Sequence, residues 1–126
     1  MIKAKELKLY IEDTAEFKEK IKGELRAIDR GKAKKLGEDS ISFQSLDQFR
    51  KFLTPKRLEL LRVIRHKKPS SMYELAKLVS RTPENVSTDI KFLEQLGFVE
   101  VDRIHDVRKK SVPEVNYNKM ILELPI

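Results

Sequence analysis

Four residues in one short segment carry side chains suited to a single kind of chemistry. Asn85, Ser87, Thr88 and Lys91 fall within Pro83–Leu96, PENVSTDIKFLEQL. An amide can pair bidentately with adenine, a hydroxyl can donate or accept at several bases, and an ammonium suits guanine or phosphate. Counting about 100° per residue from Val86 places Val86, Ile90, Leu93 and Gly97 on one line, flanked by Asp89 and Leu96. Glu84, Thr88, Lys91 and Gln95 lie opposite, with Asn85 and Ser87 at the margins near the helix start. The pattern predicts a helix with a narrow apolar stripe and a polar face free to enter a DNA groove. A solvated helix surface is the competing reading. Glu84 favours it locally, because a first-turn acid suits the helix dipole and is repelled by phosphate. Phe92 stands off the stripe, so it is expected to pack against another element, the N-terminal segment or a second subunit.

Basic groups flank this segment on both sides. Lys77 and Arg81 just precede it and are placed for phosphate, which positions a protein without reading sequence. After it, Gly97 supplies a stop and Phe98, Val99 and Val101 begin a strand. Residues 102–111 read DRIHDVRKKS and lead to Val112, Val115 and Tyr117, which predicts a hairpin with a basic tip. Arg103, Arg108, Lys109 and Lys110 outnumber Asp102 and Asp106 there, which suits the phosphate backbone or an adjacent minor groove. A solvated hairpin tip is the alternative.

The elements that must hold these groups announce themselves by start and stop signals. Thr54-Pro55 is an N-cap followed by proline at the first helical position, opening a helix with Leu58, Leu61 and Ile64 inward that stops before Lys67-Lys68-Pro69. That helix carries Lys56, Arg57, Arg62, Arg65, Lys67 and Lys68 against Glu59, a solvated face or a contact to flanking DNA backbone. Ser71 with Glu74 forms a capping box for a second helix with Leu75, Ala76, Leu78 and Val79 inward. Thr82-Pro83 then repeats the first start signal. Three starts at such short spacing predict a compact trihelical unit.

Upstream, Leu7, Leu9 and Ile11 alternate as in a half-buried strand. Asp13 and Glu16 open a helix on which Phe17, Ile21, Leu25 and Ile28 recur until Gly31. Residues 31–40, GKAKKLGEDS, are polar with two glycines and read as a loop. Ile41 and Phe43 alternate briefly, and Ser45 can cap a helix with Leu46, Phe49 and Phe52 or Leu53 inward. Met120, Leu122 and Leu124 alternate in a last strand.

Composition excludes several classes. The chain of 126 residues has 27 basic and 20 acidic side chains, a net charge of +7 and a pI near 9.6, as expected of a nucleic-acid binder. A charged fraction of 37% also fits ion-pair networks that serve stability. With no cysteine there is no disulfide framework, thiolate zinc site or cysteine nucleophile. His66 and His105 belong to no metal-spacing or nucleophile motif, and no glycine-rich phosphate loop is present. No enzyme activity, metal or cofactor is expected. No window approaches the roughly 18 apolar residues of a membrane span, so a soluble cytoplasmic protein is expected.

Thr54-Pro55-x-Arg57-Leu58-x-Leu60-Leu61, Glu74-Leu75-Ala76, Arg81, Asn85-Val86-Ser87 and Leu93-Glu94-x-Leu96-Gly97-Phe98-Val99 together resemble the winged helix-turn-helix regulators of the MarR and ArsR type. Within these the chain is most similar to a group of small archaeal DNA-binding proteins. The resemblance covers roughly residues 55–117, and in the archaeal group extends to the N-terminal segment. It implies a DNA-binding transcriptional regulator, usually dimeric, with the helix beginning at Pro83 in the major groove. Ser80 departs from the pattern, standing where many such units have glycine, and the cysteine metal sensors of the ArsR type have no counterpart.

The expected architecture is α+β: a winged helix-turn-helix of three helices and a β-hairpin wing over residues 54–126, with an N-terminal strand-helix extension over residues 1–53. The expected function is sequence-specific binding of double-stranded DNA by a homodimeric transcriptional regulator, with recognition helix 83–96 and wing 102–111. An antitoxin repressing its own operon is a sub-case. The alternative is a winged-helix protein-protein interaction module without specific DNA binding. The N-terminal extension, surplus to a winged helix, is expected to dimerise the protein through Phe92 and the stripe of Phe17, Ile21, Leu25 and Ile28.

Overall fold

The computed structural model describes residues 6–12, 33–37, 40–103 and 110–126. Its architecture is α+β, and the chain divides into two compact units, Met1–Leu53 together with Tyr117–Ile126, and Thr54–Asn116.

In the first unit a four-stranded sheet has the order β2-β3-β1-β6, with β1 at Glu6–Ile11, β2 at Ala33–Gly37, β3 at Ser40–Phe43 and β6 at Lys119–Glu123. The alternation of Leu7, Leu9 and Ile11 puts all three on one buried face. The parallel register sets Leu9 beside Ile41 and Ile11 beside Phe43, so the apolar rows align. A short helix, α1 at Leu46–Phe52, follows β3. Ser45 caps it by accepting from the Gln48 N–H at 3.2 Å. The α1 stripe meets the sheet through Phe43, whose ring lies 5.4 Å from that of Phe49, edge to face, and 5.8 Å from that of Phe52. Such aromatic pairs add about 0.5–1.5 kcal/mol each beyond area burial. Ser42, fully buried, donates to the Glu12 carboxylate at 2.6 Å.

Two expectations change here. Residues 33–37, expected within a loop, form strand β2, antiparallel to β3 with a register shift between Lys35 and Gly37. An edge strand needs ladder partners on one side only, and lysines are common at such edges, so AKKLG pairs without an apolar alternation to announce it. The last strand, grouped by sequence with residues 54–126, runs parallel to β1 and joins the first unit. Parallel strands need a long crossover, and the Thr54–Asn116 unit occupies that connection. The helix expected between Asp13 and Gly31 lies outside the described residues.

The second unit packs three helices, α2 at Pro55–Lys67, α3 at Met72–Val79 and α4 at Pro83–Leu96, with a two-stranded antiparallel sheet of β4 (Glu100–Arg103) and β5 (Ser111–Glu114). Each helix has its hydroxyl cap: Thr54 accepts from the Arg57 N–H, Ser71 from Glu74 and Thr82 from Asn85. The capping box at α3 is displaced by one residue. The Glu74 carboxylate accepts from the Ser70 N–H and hydroxyl, and these bonds, first the backbone one, hold it below the usual carboxylate range. Leu60, Leu61, Ile64, Leu75, Val86, Ile90, Leu93 and Phe98 form the buried core.

Leu60 takes the fully buried place expected for Leu58, which is half-buried. Leu78, expected inward, is exposed, because it projects roughly 110° from the middle of the Met72, Leu75, Ala76 and Val79 stripe. The same closing motif ends α3 and α4. Ser80 and Gly97 are left-handed, with φ of 57° and 88°, and the following amides reach back to Ala76 O and Leu93 O at 3.0 and 2.9 Å.

Candidate functional site

Helix α4 buries Val86, Ile90 and Leu93 and turns Asn85, Thr88 and Lys91 outward, all three exposed. Ser87 is half-buried at the margin of this face. The Thr88 hydroxyl donates to Glu84 O at 3.0 Å, one turn back, so its proton is committed. Among the described residues no ion pair holds the Lys91 ammonium.

Asp89, at the flank of the buried stripe, is the pivot of the unit. It accepts from Arg57 Nε at 3.0 Å and from Arg81 Nη2 at 2.8 Å, with all three side chains no more than 17% exposed. One carboxylate thus ties α2, the α3–α4 turn and α4 together. Arg81, expected to contact phosphate, is consumed by this bridge. Its Nη1 is buried without a hydrogen-bond partner among the described residues. Arg57 also lies over the Phe92 ring at 4.5 Å, a cation–π contact that gives the off-stripe aromatic a partner within its own unit. The N-terminal stripe expected to pack against Phe92 lies outside the described residues.

The acids of α4 are unequally placed. Asp89 has two arginines, and Glu94 receives both Nη atoms of Arg103 at 2.8 and 2.9 Å, which staples β4 to α4. The Arg103 guanidinium holds the Glu94 carboxyl below its ordinary range and is itself pushed up by the same bonds. Glu84 remains exposed in the first turn. Lys77 is exposed, with its ammonium 5.8 Å from the Tyr73 ring centroid. Lys110 is half-buried and, with Lys77, contributes to lowering Glu74. Arg108 and Lys109 lie outside the described residues, as does the strand-to-strand connection they occupy.

Of the basic cluster on α2, Arg57 is held by Asp89 and Arg65 donates to Val115 O at 3.2 Å, whereas Lys56, Arg62, Lys67 and Lys68 are exposed. The bridging role of Arg57 and Asp89 has no local signature, since they stand 32 positions apart. The signal that could have found it is a carboxylate bordering an apolar stripe, which must be paired if half-buried. Among the described residues no group of three or more His, Asp or Glu side chains is arranged to hold a metal ion. Also among these residues, no helix is long and apolar enough to cross a membrane.

Residues 52–122 match the family described as HVO_A0114, and the chain belongs to that family. The matched span contains the whole Thr54–Asn116 unit and reaches into β6. No curated protein matches the chain.

Proposed function

We propose that the Thr54–Asn116 unit is a winged helix-turn-helix and that the protein is a cytoplasmic transcriptional regulator binding double-stranded DNA sequence-specifically as a homodimer. In this reading α4 enters the major groove, and β4, β5 and their connection form the wing against the backbone or minor groove. Two half-sites then lie about one helical turn apart.

The observation that carries the reading is the division of labour on α4. Its outward face offers an amide, a hydroxyl and an ammonium outside the ion pairs of the described residues, while Asp89 and Glu94 are each neutralised by arginine. The carboxylates nearest the groove are thereby kept from repelling phosphate, apart from Glu84. Because the Thr88 proton is committed to Glu84 O, Thr88 would act as an acceptor from a base amino group or as a methyl contact to thymine. Backbone positioning would fall to Lys77, Lys110 and the exposed lysines of α2 rather than to Arg81.

Selection of bound genomic fragments by the purified protein across a salt series tests the proposal. The expected result is a preferred sequence and an affinity that falls steeply with salt. Replacing Thr88 and Lys91 with alanine should cost about 1–3 kcal/mol for each base pairing removed and relax the preference. Replacing Arg108, Lys109 and Lys110 should flatten the salt slope by roughly 0.9 for each phosphate that is no longer neutralised. Binding that never rises above the non-specific level would overturn the reading. It would favour a protein-interaction module instead, for which the exposed Tyr73 and Leu78 on α3 offer an apolar surface.

A further inference from the structure

Strand β6 ends the sheet, and among the described residues no strand lies on its outer side. Its register with β1 sets Met120 beside Leu7 and Leu122 beside Leu9, so both methionine and leucine belong to the apolar face. Yet Leu9 is 1% exposed and Leu122 is 38% exposed. The two differ in their neighbours. Leu9 has Ile41 on one side and Leu122 on the other, whereas among the described strands Leu122 has Leu9 alone. Ile121, on the opposite face, and Leu124 are exposed as well. An open edge with an apolar centre is a surface that sheets ordinarily protect by charge, a bulge or a cover.

The charges on this strand stand at its ends, Lys119 and Glu123, equally distant from Ile121. We propose that β6 pairs antiparallel with β6 of a second copy about a two-fold axis at Ile121, joining two four-stranded sheets into one. Ile121 then faces itself, Met120 faces the partner's Leu122, and Lys119 faces the partner's Glu123, twice by symmetry. Lys119 already pairs with Glu6 on β1 at 3.2 Å, so the junction carries a row of alternating charge: Glu6, Lys119 and the partner's Glu123.

The register is specified by the same residues. Centring the pair on Met120 or Leu122 instead leaves both charges opposite uncharged residues and forfeits both ion pairs. Pro125, which has no N–H to donate, stops the ladder just beyond. Strand β1, the first strand of the N-terminal extension, is flanked on both sides and offers no edge for this purpose. This pairing does not depend on what α4 binds.

Sedimentation equilibrium on the full chain tests it. The wild type and E6Q should both dimerise. In the E6Q background, K119E and E123K alone should each weaken association about tenfold by setting like charges opposite one another twice. Combining K119E with E123K should restore it, an outcome that no other interface would give. In the wild type, amide exchange at residues 119–124 should slow as protein concentration rises, a readout that does not rely on variants folding. A monomeric wild type, a dimer indifferent to E123K, a combined variant no better than the single ones, or concentration-independent exchange in β6 would each overturn the proposal.

Discussion

The Thr54–Asn116 unit is one continuous stretch of chain, whereas the sheet unit is drawn from both ends of it. The first is built from helices whose starts are written in adjacent residues: Thr-Pro, Ser-x-x-Glu and Thr-Pro again. The second depends on strands meeting across long separations, with β1 lying between β3 and a strand more than a hundred residues later. Local capping can specify the former almost unaided, because each cap satisfies orphan N–H groups within its own turn. Nothing local can specify the latter, since a strand's partner is chosen by which apolar face it completes.

The largest test of this contrast is cavity formation at the two phenylalanines fully buried among the described residues, Phe98 in the helical unit and Phe43 in the sheet unit. Each change to alanine should cost about 3–5 kcal/mol. Hydrogen exchange should locate the Phe98→Ala loss in residues 54–116 and the Phe43→Ala loss in β1 and β3. Equal loss of protection everywhere from either variant would erase the distinction between the units.

Next comes Asp89→Ala, which strands two arginines at a shielded site and should lower stability by about 2 kcal/mol. Denaturant unfolding measures it. An effect as small as that of a surface pair would show that α2, the turn and α4 hold together without the bridge. The left-handed ends of α3 and α4 supply a smaller, signed test. Ser80→Gly should raise stability by about 1 kcal/mol and Gly97→Ala should lower it by a similar amount, because a Cβ is disfavoured at positive φ.

The smallest effect is expected at Glu94, whose pair with Arg103 is 30% and 52% exposed. Glu94→Gln should shift the thermal midpoint by only about 1 °C. Its pH dependence is the sharper readout. The folded carboxyl titrates below its ordinary value of 4.5, so its contribution is complete above that pH and is lost as the pH falls through the lower folded value. The difference between wild type and Glu94→Gln should therefore be constant near neutrality and vanish in acid. A difference that grew on acidification would contradict the staple.

What was legible in the residues was the helical unit: its three starts, the stop at Gly97, the stripe of Val86, Ile90 and Leu93, and the outward turn of Asn85, Thr88 and Lys91. These follow from helical periodicity and caps, which act over four residues or fewer. The fate of the cations was not legible. Arg57, Arg81 and Arg103 read as free positive charge in a sequence, and each is spent on a carboxylate whose proximity depends on how helices and strands pack. Strand β2 has no apolar alternation in the sequence, because an edge strand can be held by its backbone ladder.

Residue types and spacing by themselves determined the three helices of the Thr54–Asn116 unit and which face of α4 turns to solvent, since those outcomes rest on interactions within a turn or two. Only the tertiary structure decided which basic groups remain available to a ligand and which sheet the last strand completes. Both choices hinge on pairings between different elements, 8 positions apart at Arg81–Asp89, 9 at Arg103–Glu94, 32 at Arg57–Asp89 and more than a hundred between β1 and β6, where the packing of whole elements selects the partner.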